Sequence, residues 1–173
     1  MRNASFVQRI FASAIAGIGL ALWLSSPARS LTAIEADKTS ALLVELASEM
    51  GEFAYDEEEA GRIFEEDEAM NGRIAAAGFS REQWQVSVDA SFRGLLATIP
   101  SSVFSARIAE IFARLDASSS LSDAQKAEVR AITQEKMAEI QLMRAEGAAY
   151  ADVVAPYADR LEAAFRTGLG TEN

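Results

Sequence analysis

The residues best placed to do chemistry in this chain are carboxylates. Residues 45–68 hold eleven acids and one base, Arg62, a net charge of −10 in 24 residues. Within them Glu45, Glu49, Glu52 and Asp56 fall at i, i+4, i+7 and i+11, which on a helix is a single stripe. Such a stripe can remain a solvated face, dock a basic partner surface, or attract a divalent cation. Calcium loops need oxygen ligands at alternating positions around a glycine turn. Residues 56–67 put Gly61 at the sixth place, but Ala60 and Arg62 interrupt the ligand set. The stripe therefore reads first as a solvated acidic face, with Glu45, Glu49, Glu52 and Asp56 as candidate partner-facing residues. Weak, non-selective cation binding is the alternative.

Composition closes most other routes. The chain has 173 residues, 16 Lys plus Arg, 26 Asp plus Glu, no His and no Cys. Without Cys there are no disulfides, thiolate metal sites or cysteine nucleophile. Without His there is no Ser-His-Asp triad, and a di-iron bundle loses its Glu-x-x-His pairs. The lysines Lys38, Lys126 and Lys136 all sit in charged helical surroundings, and no glycine-rich phosphate loop is present. Many carboxylates are available, but no spacing singles out an acid–base pair. The expectation is a non-catalytic protein with no catalytic residue, no cofactor and no metal centre. An acidic domain also sheds no counterions from nucleic acid. Nor does it offer the basic helix face that an anionic membrane selects.

The N-terminus differs from the rest. Residues 1–30 carry Arg2, Arg9 and Arg29 and no acid, and residues 10–24 are fifteen uncharged, mostly apolar positions. A basic start, an apolar run and a small-residue exit describe a secretory signal, cleaved after Ala28 or Ser30. An uncleaved anchor is the other reading, although a spanning helix needs roughly 20 apolar residues. The expected address is periplasmic or secreted, with one domain over residues 31–173.

That domain reads as helices throughout, five or six of them in a small all-α bundle. Thr32 with Glu35, Ser80 with Gln83 and Ser122 with Gln125 are three capping signatures, in which the cap and the residue three places on satisfy each other's free backbone N–H. The first helix carries Leu43, Leu46, Ala47, Met50, Phe53 and Ala54. The second covers about residues 56–77, with Ile63, Phe64, Met70 and Ile74 inward; the two are either continuous or bent near Gly51 and Tyr55. Gly78 stops the second, and Phe79 and Trp84 form a hydrophobic staple. The third helix presents Trp84, Val88, Phe92, Leu95, Leu96 and Ile99 and ends at Pro100. The fourth carries Phe104, Ile108, Ile111, Phe112 and Leu115. The fifth runs from Ser122 to about Glu146, with Val129, Ile132, Met137, Ile140 and Met143 inward, and Gly147 ends it. After a short turn over residues 149–154, the last spans about residues 156–167 and stops at Gly168 and Gly170.

Two resemblances attach to these blocks. The run from Leu121 to Arg130, opening Leu-Ser-Asp-Ala-Gln, resembles the Leu-Thr-x-x-Gln helix start of Spy/CpxP-type periplasmic stress chaperones, with Phe79-Ser80-Arg81-Glu82-Gln83 as a degenerate second copy. More widely, residues 77–84, 121–125 and 154–161 resemble, in order and spacing, an uncharacterised group of small secreted all-helical proteobacterial proteins. Those resemblances imply a helical fold, an envelope address and work through contacts with an unknown protein partner, chaperone-like or stress-linked. A small-ligand or divalent-cation module using residues 45–68 is the alternative.

Overall fold

The computed structural model describes residues 31–56 and 58–165, all within the compact unit Leu31–Asn173. The signal, its cleavage site and the expected stop at Gly168 lie outside the described residues. The fold is all-α. Its helices are α1 (Ala33–Met50), α2 (Glu59–Met70), α3 (Arg73–Ala76), α4 (Arg81–Thr98), α5 (Ser101–Ala117), α6 (Asp123–Gly147), α7 (Ala151–Val154) and α8 (Ala158–Ala164). Single 3₁₀ turns flank α7 on both sides.

All three capping boxes form. The side chains of Thr32, Ser80 and Ser122 accept the N–H of Glu35, Gln83 and Gln125 at 3.2, 3.2 and 3.3 Å. The return bonds from the cap N–H groups are 2.9, 3.0 and 2.9 Å. Phe79 and Trp84 meet edge to face at 5.8 Å between centroids, as a staple should.

The axis of the body is α4, which packs against α1, α2, α6, α7 and α8. Trp84, Val88, Leu95 and Leu96 are sealed in the core, each at 3% exposure or less. Burying each such side chain stabilises by roughly 1.5–3 kcal/mol. Between them run the small residues Ser87, Ala90, Ser91 and Gly94, all buried. Small residues let helix axes approach closely. A Cβ on Gly94 would lie 2.7 Å from Val154 Cγ2.

Gly147 ends α6 as expected and makes a second close approach to α4. Its φ is −73°, so the helix does not stop there through a left-handed residue. A Cβ there would fall 2.0 Å from the Arg93 carbonyl oxygen, so glycine is needed because α6 touches the backbone of α4.

The expected second helix is divided. Asn71 and Gly72 break it, with Gly72 at φ 60°, a conformation that favours glycine. Asp67 stabilises the break: its carbonyl accepts the N–H groups of Asn71 and Gly72 at 2.8 and 2.7 Å. Met70, expected inward, is 52% exposed in consequence. Upstream, α1 ends at Gly51 (φ 92°), so Phe53 and Ala54 lie in a strap rather than in the first helix. Phe53 N–H donates to the Ala164 carbonyl at 2.9 Å, and Tyr55 stacks on Phe92 at 3.9 Å. The last helix starts two residues later than expected, because Pro156 occupies a 3₁₀ turn ahead of α8.

A corner of 83° separates α4 from α5. Arg144 on α6 fixes it, donating to the carbonyls of Leu96 and Ile99 at 2.9 and 2.6 Å and to Ser101 Oγ at 3.1 Å. Its guanidinium also lies 4.6 Å from the Phe104 ring centroid. Beyond the corner, α5 and the first half of α6 form an antiparallel arm. The core cluster reaches Phe104 and Met137 and goes no further into it. Ile132, expected inward, is 38% exposed.

Gly147→Ala should cost about 1–3 kcal/mol through overpacking against Arg93, read as a lower urea midpoint with unchanged m-value. Gly94→Ala should fall in the same range. A Gly147→Ala variant as stable as the parent would mean that α6 does not touch the α4 backbone.

Candidate functional site

The four acids predicted to share a stripe are divided between two jobs. Because α1 stops at Met50, Glu52 and Asp56 leave the helix that carries Glu45 and Glu49, and no continuous stripe forms. Asp56 instead starts α2: its Oδ1 accepts the N–H groups of Glu58 and Glu59 at 2.9 and 2.7 Å. A carboxylate there also meets the positive end of the helix dipole. Glu52 lies exposed in the strap.

Glu45 and Glu49 stay on one exposed face of α1 and meet a counter-ion from α3. Arg73 bonds Glu49 directly, reaches Glu45 at 3.9 Å, and comes within 3.9 Å of Asp67. Its hydrogen bond to Glu49 raises the guanidinium's pKa. Asp67 is 1% exposed, and its Oδ2 accepts the Ile74 N–H at 2.8 Å. Its Oδ1 faces Arg73 and has no hydrogen-bond partner among the described residues. Arg73 thus occupies the centre of the acidic group, where a cation would otherwise sit. The neighbouring run is partly paired as well: Arg62 bridges Glu59 and Glu66, and Arg81 pairs with Glu65. Among the described residues no group of three or more Asp or Glu is placed to hold a metal ion.

A second polar network went unseen in the sequence. Tyr55 in the strap donates to Asp89 on α4, and Arg93 Nε donates to both oxygens of Asp89 at 2.8 and 2.9 Å. The same guanidinium bonds Glu146 on α6. Three elements are pinned at one point beside the Gly147 contact. Asp89 and Arg93 are at i, i+4 spacing, which was visible; the partners Tyr55 and Glu146 are 34 and 53 residues away from them and were not. A cleft of about 350 Å³ lined by Ala97, Gln141, Arg144, Ala145, Ala148 and Ala151 lies nearby. Arg144 is committed to the corner and to Gln141, which leaves that cleft little polar chemistry.

The arm offers a different surface. Val103 and Ile132 are exposed, and Ile108, Ile111, Phe112 and Val129 are half-buried. Several of its charges are paired locally. Glu110 bridges Arg107 and Arg114, Asp116 bonds Arg130, and Lys136 reaches Glu139 at 2.7 Å. The hydrogen bond from Arg107, then the charge of Arg114, hold the Glu110 carboxyl below the usual carboxylate range.

No protein-family model, curated protein or solved structure matches this chain.

Asp67→Ala should destabilise by about 2–4 kcal/mol, because it strips the buried Ile74 N–H and removes a partner of Arg73. Glu45→Gln with Glu49→Gln should change stability by less than about 1 kcal/mol, as exposed ion pairs do. With Arg73 as resident counter-ion, millimolar calcium should leave the thermal midpoint where sodium at equal ionic strength leaves it. A rise of several degrees specific to calcium or magnesium would contradict that role.

Proposed function

We propose that this protein is an exported, non-catalytic helical protein that acts through protein–protein contacts, as a chaperone-like or stress-linked accessory of the periplasm or extracellular space. The observation that carries this reading is the arm: α5 and the first half of α6 extend past the point where the core ends, with Val103 and Ile132 exposed and Ile108, Ile111, Phe112 and Val129 half-buried. Apolar side chains left open to solvent on an extension from the core are available to a partner. The basic, apolar and small-residue order of residues 1–30 supports export, and the helix start at Leu121 supports the chaperone-like character. That start lies at the tip of the arm. The cation-binding alternative is weaker, since Arg73 already stands among Glu45, Glu49 and Asp67.

The test is site-specific photo-crosslinking in the living envelope, with a crosslinking amino acid at position 108 on the arm or at Val44 on the body, which is 36% exposed. Adducts identified by mass spectrometry should concentrate at position 108. Equal yields at both positions, or none at position 108, would remove the arm as the contact surface. Intact mass of the accumulated protein should correspond to cleavage after Ala28 or Ser30; an unprocessed chain confined to the cytosol would end the export reading.

A further inference from the structure

We infer that Asn71 is a modification site guarded by the fold: a spontaneous deamidation centre that the turn between α2 and α3 holds shut.

The chemistry is that of an asparagine followed by glycine. Among the asparagines and aspartates of the chain, Asn71 alone precedes a glycine. Once its proton is lost to solvent base, the Gly72 backbone nitrogen can attack Asn71 Cγ. The N–Cγ bond forms, the Cγ–Nδ2 bond breaks, and Nδ2 leaves as ammonia. Water then opens the five-membered imide at either carbonyl. Breaking the new bond gives aspartate, and breaking the original peptide bond gives isoaspartate. One water is consumed, one ammonia is released, and nothing is oxidised or reduced. Glycine permits the attack because no Cβ crowds its nitrogen.

The Asn71 side chain is exposed, so water and base reach it. The backbone is what resists. Ring closure needs the Gly72 nitrogen turned onto the Asn71 side chain. With Asn71 at ψ −17°, that nitrogen nearly eclipses the Asn71 nitrogen instead. Its proton is also committed: it is donated to the Asp67 carbonyl at 2.7 Å, which accepts the Asn71 N–H at 2.8 Å as well. Asp67 grips the far side of the turn too, its Oδ2 accepting the Ile74 N–H at 2.8 Å. One buried residue thus holds both ends of the segment that must rotate. Reaction waits on local opening, and its rate follows the open fraction.

Conversion changes the turn that it escapes from. Either product adds a carboxylate at neutral pH, next to the acidic run that ends at Glu68. Isoaspartate also lengthens the main chain by one methylene between α2 and α3, which takes the Gly72 N–H out of register with the Asp67 carbonyl. The turn is then harder to close, and the site marks chains that have been open.

The protein in the form the cell accumulates is incubated in mildly alkaline buffer, folded or unfolded in guanidinium, and the tryptic peptide over residues 63–73 is followed by mass for the change from amide to acid. The unfolded chain should convert at least about tenfold faster than the folded one. Asp67→Ala with an unchanged far-ultraviolet spectrum should convert about tenfold faster than the folded parent. Asn71→Gln, whose amide must close a larger ring, should stay unconverted. If Asp67→Ala does not fold, the parent in guanidinium below its unfolding midpoint decides: hydrogen exchange at the Gly72 amide and conversion at Asn71 should rise together. An unfolded chain that keeps its amide, or a folded chain that converts as fast as the unfolded one, would overturn the inference. So would a folded Asp67→Ala variant no faster than the parent, or conversion that does not follow exchange at Gly72.

Discussion

The close approach of α6 to α4 at Gly147 and Arg93 is the constraint on which the other contacts depend. A Cβ at position 147 would lie 2.0 Å from the Arg93 carbonyl oxygen, so the two backbones approach too closely there for any side chain. The Arg93 side chain then lies in reach of Glu146, and Arg144 three residues earlier reaches the carbonyls at the end of α4. Those carbonyls are the groups a helix end leaves unsatisfied. One glycine thus sets where α6 crosses, which arginine closes α4, and in which direction the arm leaves the body.

The same physics divides the molecule into two kinds of packing. Around α4, bulky residues such as Trp84, Leu95 and Leu161 are fully enclosed, and the small residues between them bring the helices together. In the arm, two helices hold each other by a single seam supported by the Phe112–Arg130 contact and surface ion pairs. Exposed ion pairs contribute little, typically under about 1 kcal/mol each. The arm is therefore sparsely buried, and its residues 105–136 balance five acids with five bases. The acidic sector shows the opposite arrangement, with strong charge held by arginines from inside the chain and a buried Asp67 securing the turn between α2 and α3.

Local signals in the sequence translated directly into structure. Three capping boxes, the Phe79–Trp84 staple, the stop at Pro100 and the inward residues of α4 all depend on neighbours within a few positions. What was illegible depends on distant partners. Gly147 ends α6 as its position suggests, but nothing nearby in the sequence reveals its contact with Arg93, 54 residues away. Asp67 looked like one more surface acid in an acidic run, because only the fold brings Ile74 N–H against it. The expected stripe of Glu45, Glu49, Glu52 and Asp56 assumed a helix that Gly51 ends, and periodicity cannot register a break at a residue that helices tolerate at modest cost. Ile132 matched the inward period of α6, but in the arm there is no third helix for it to face.

Hydrogen exchange followed by mass spectrometry addresses the division between body and arm most directly. The account predicts that amides of residues 105–136 exchange faster than those of residues 84–96. Equal protection of arm and body would contradict it.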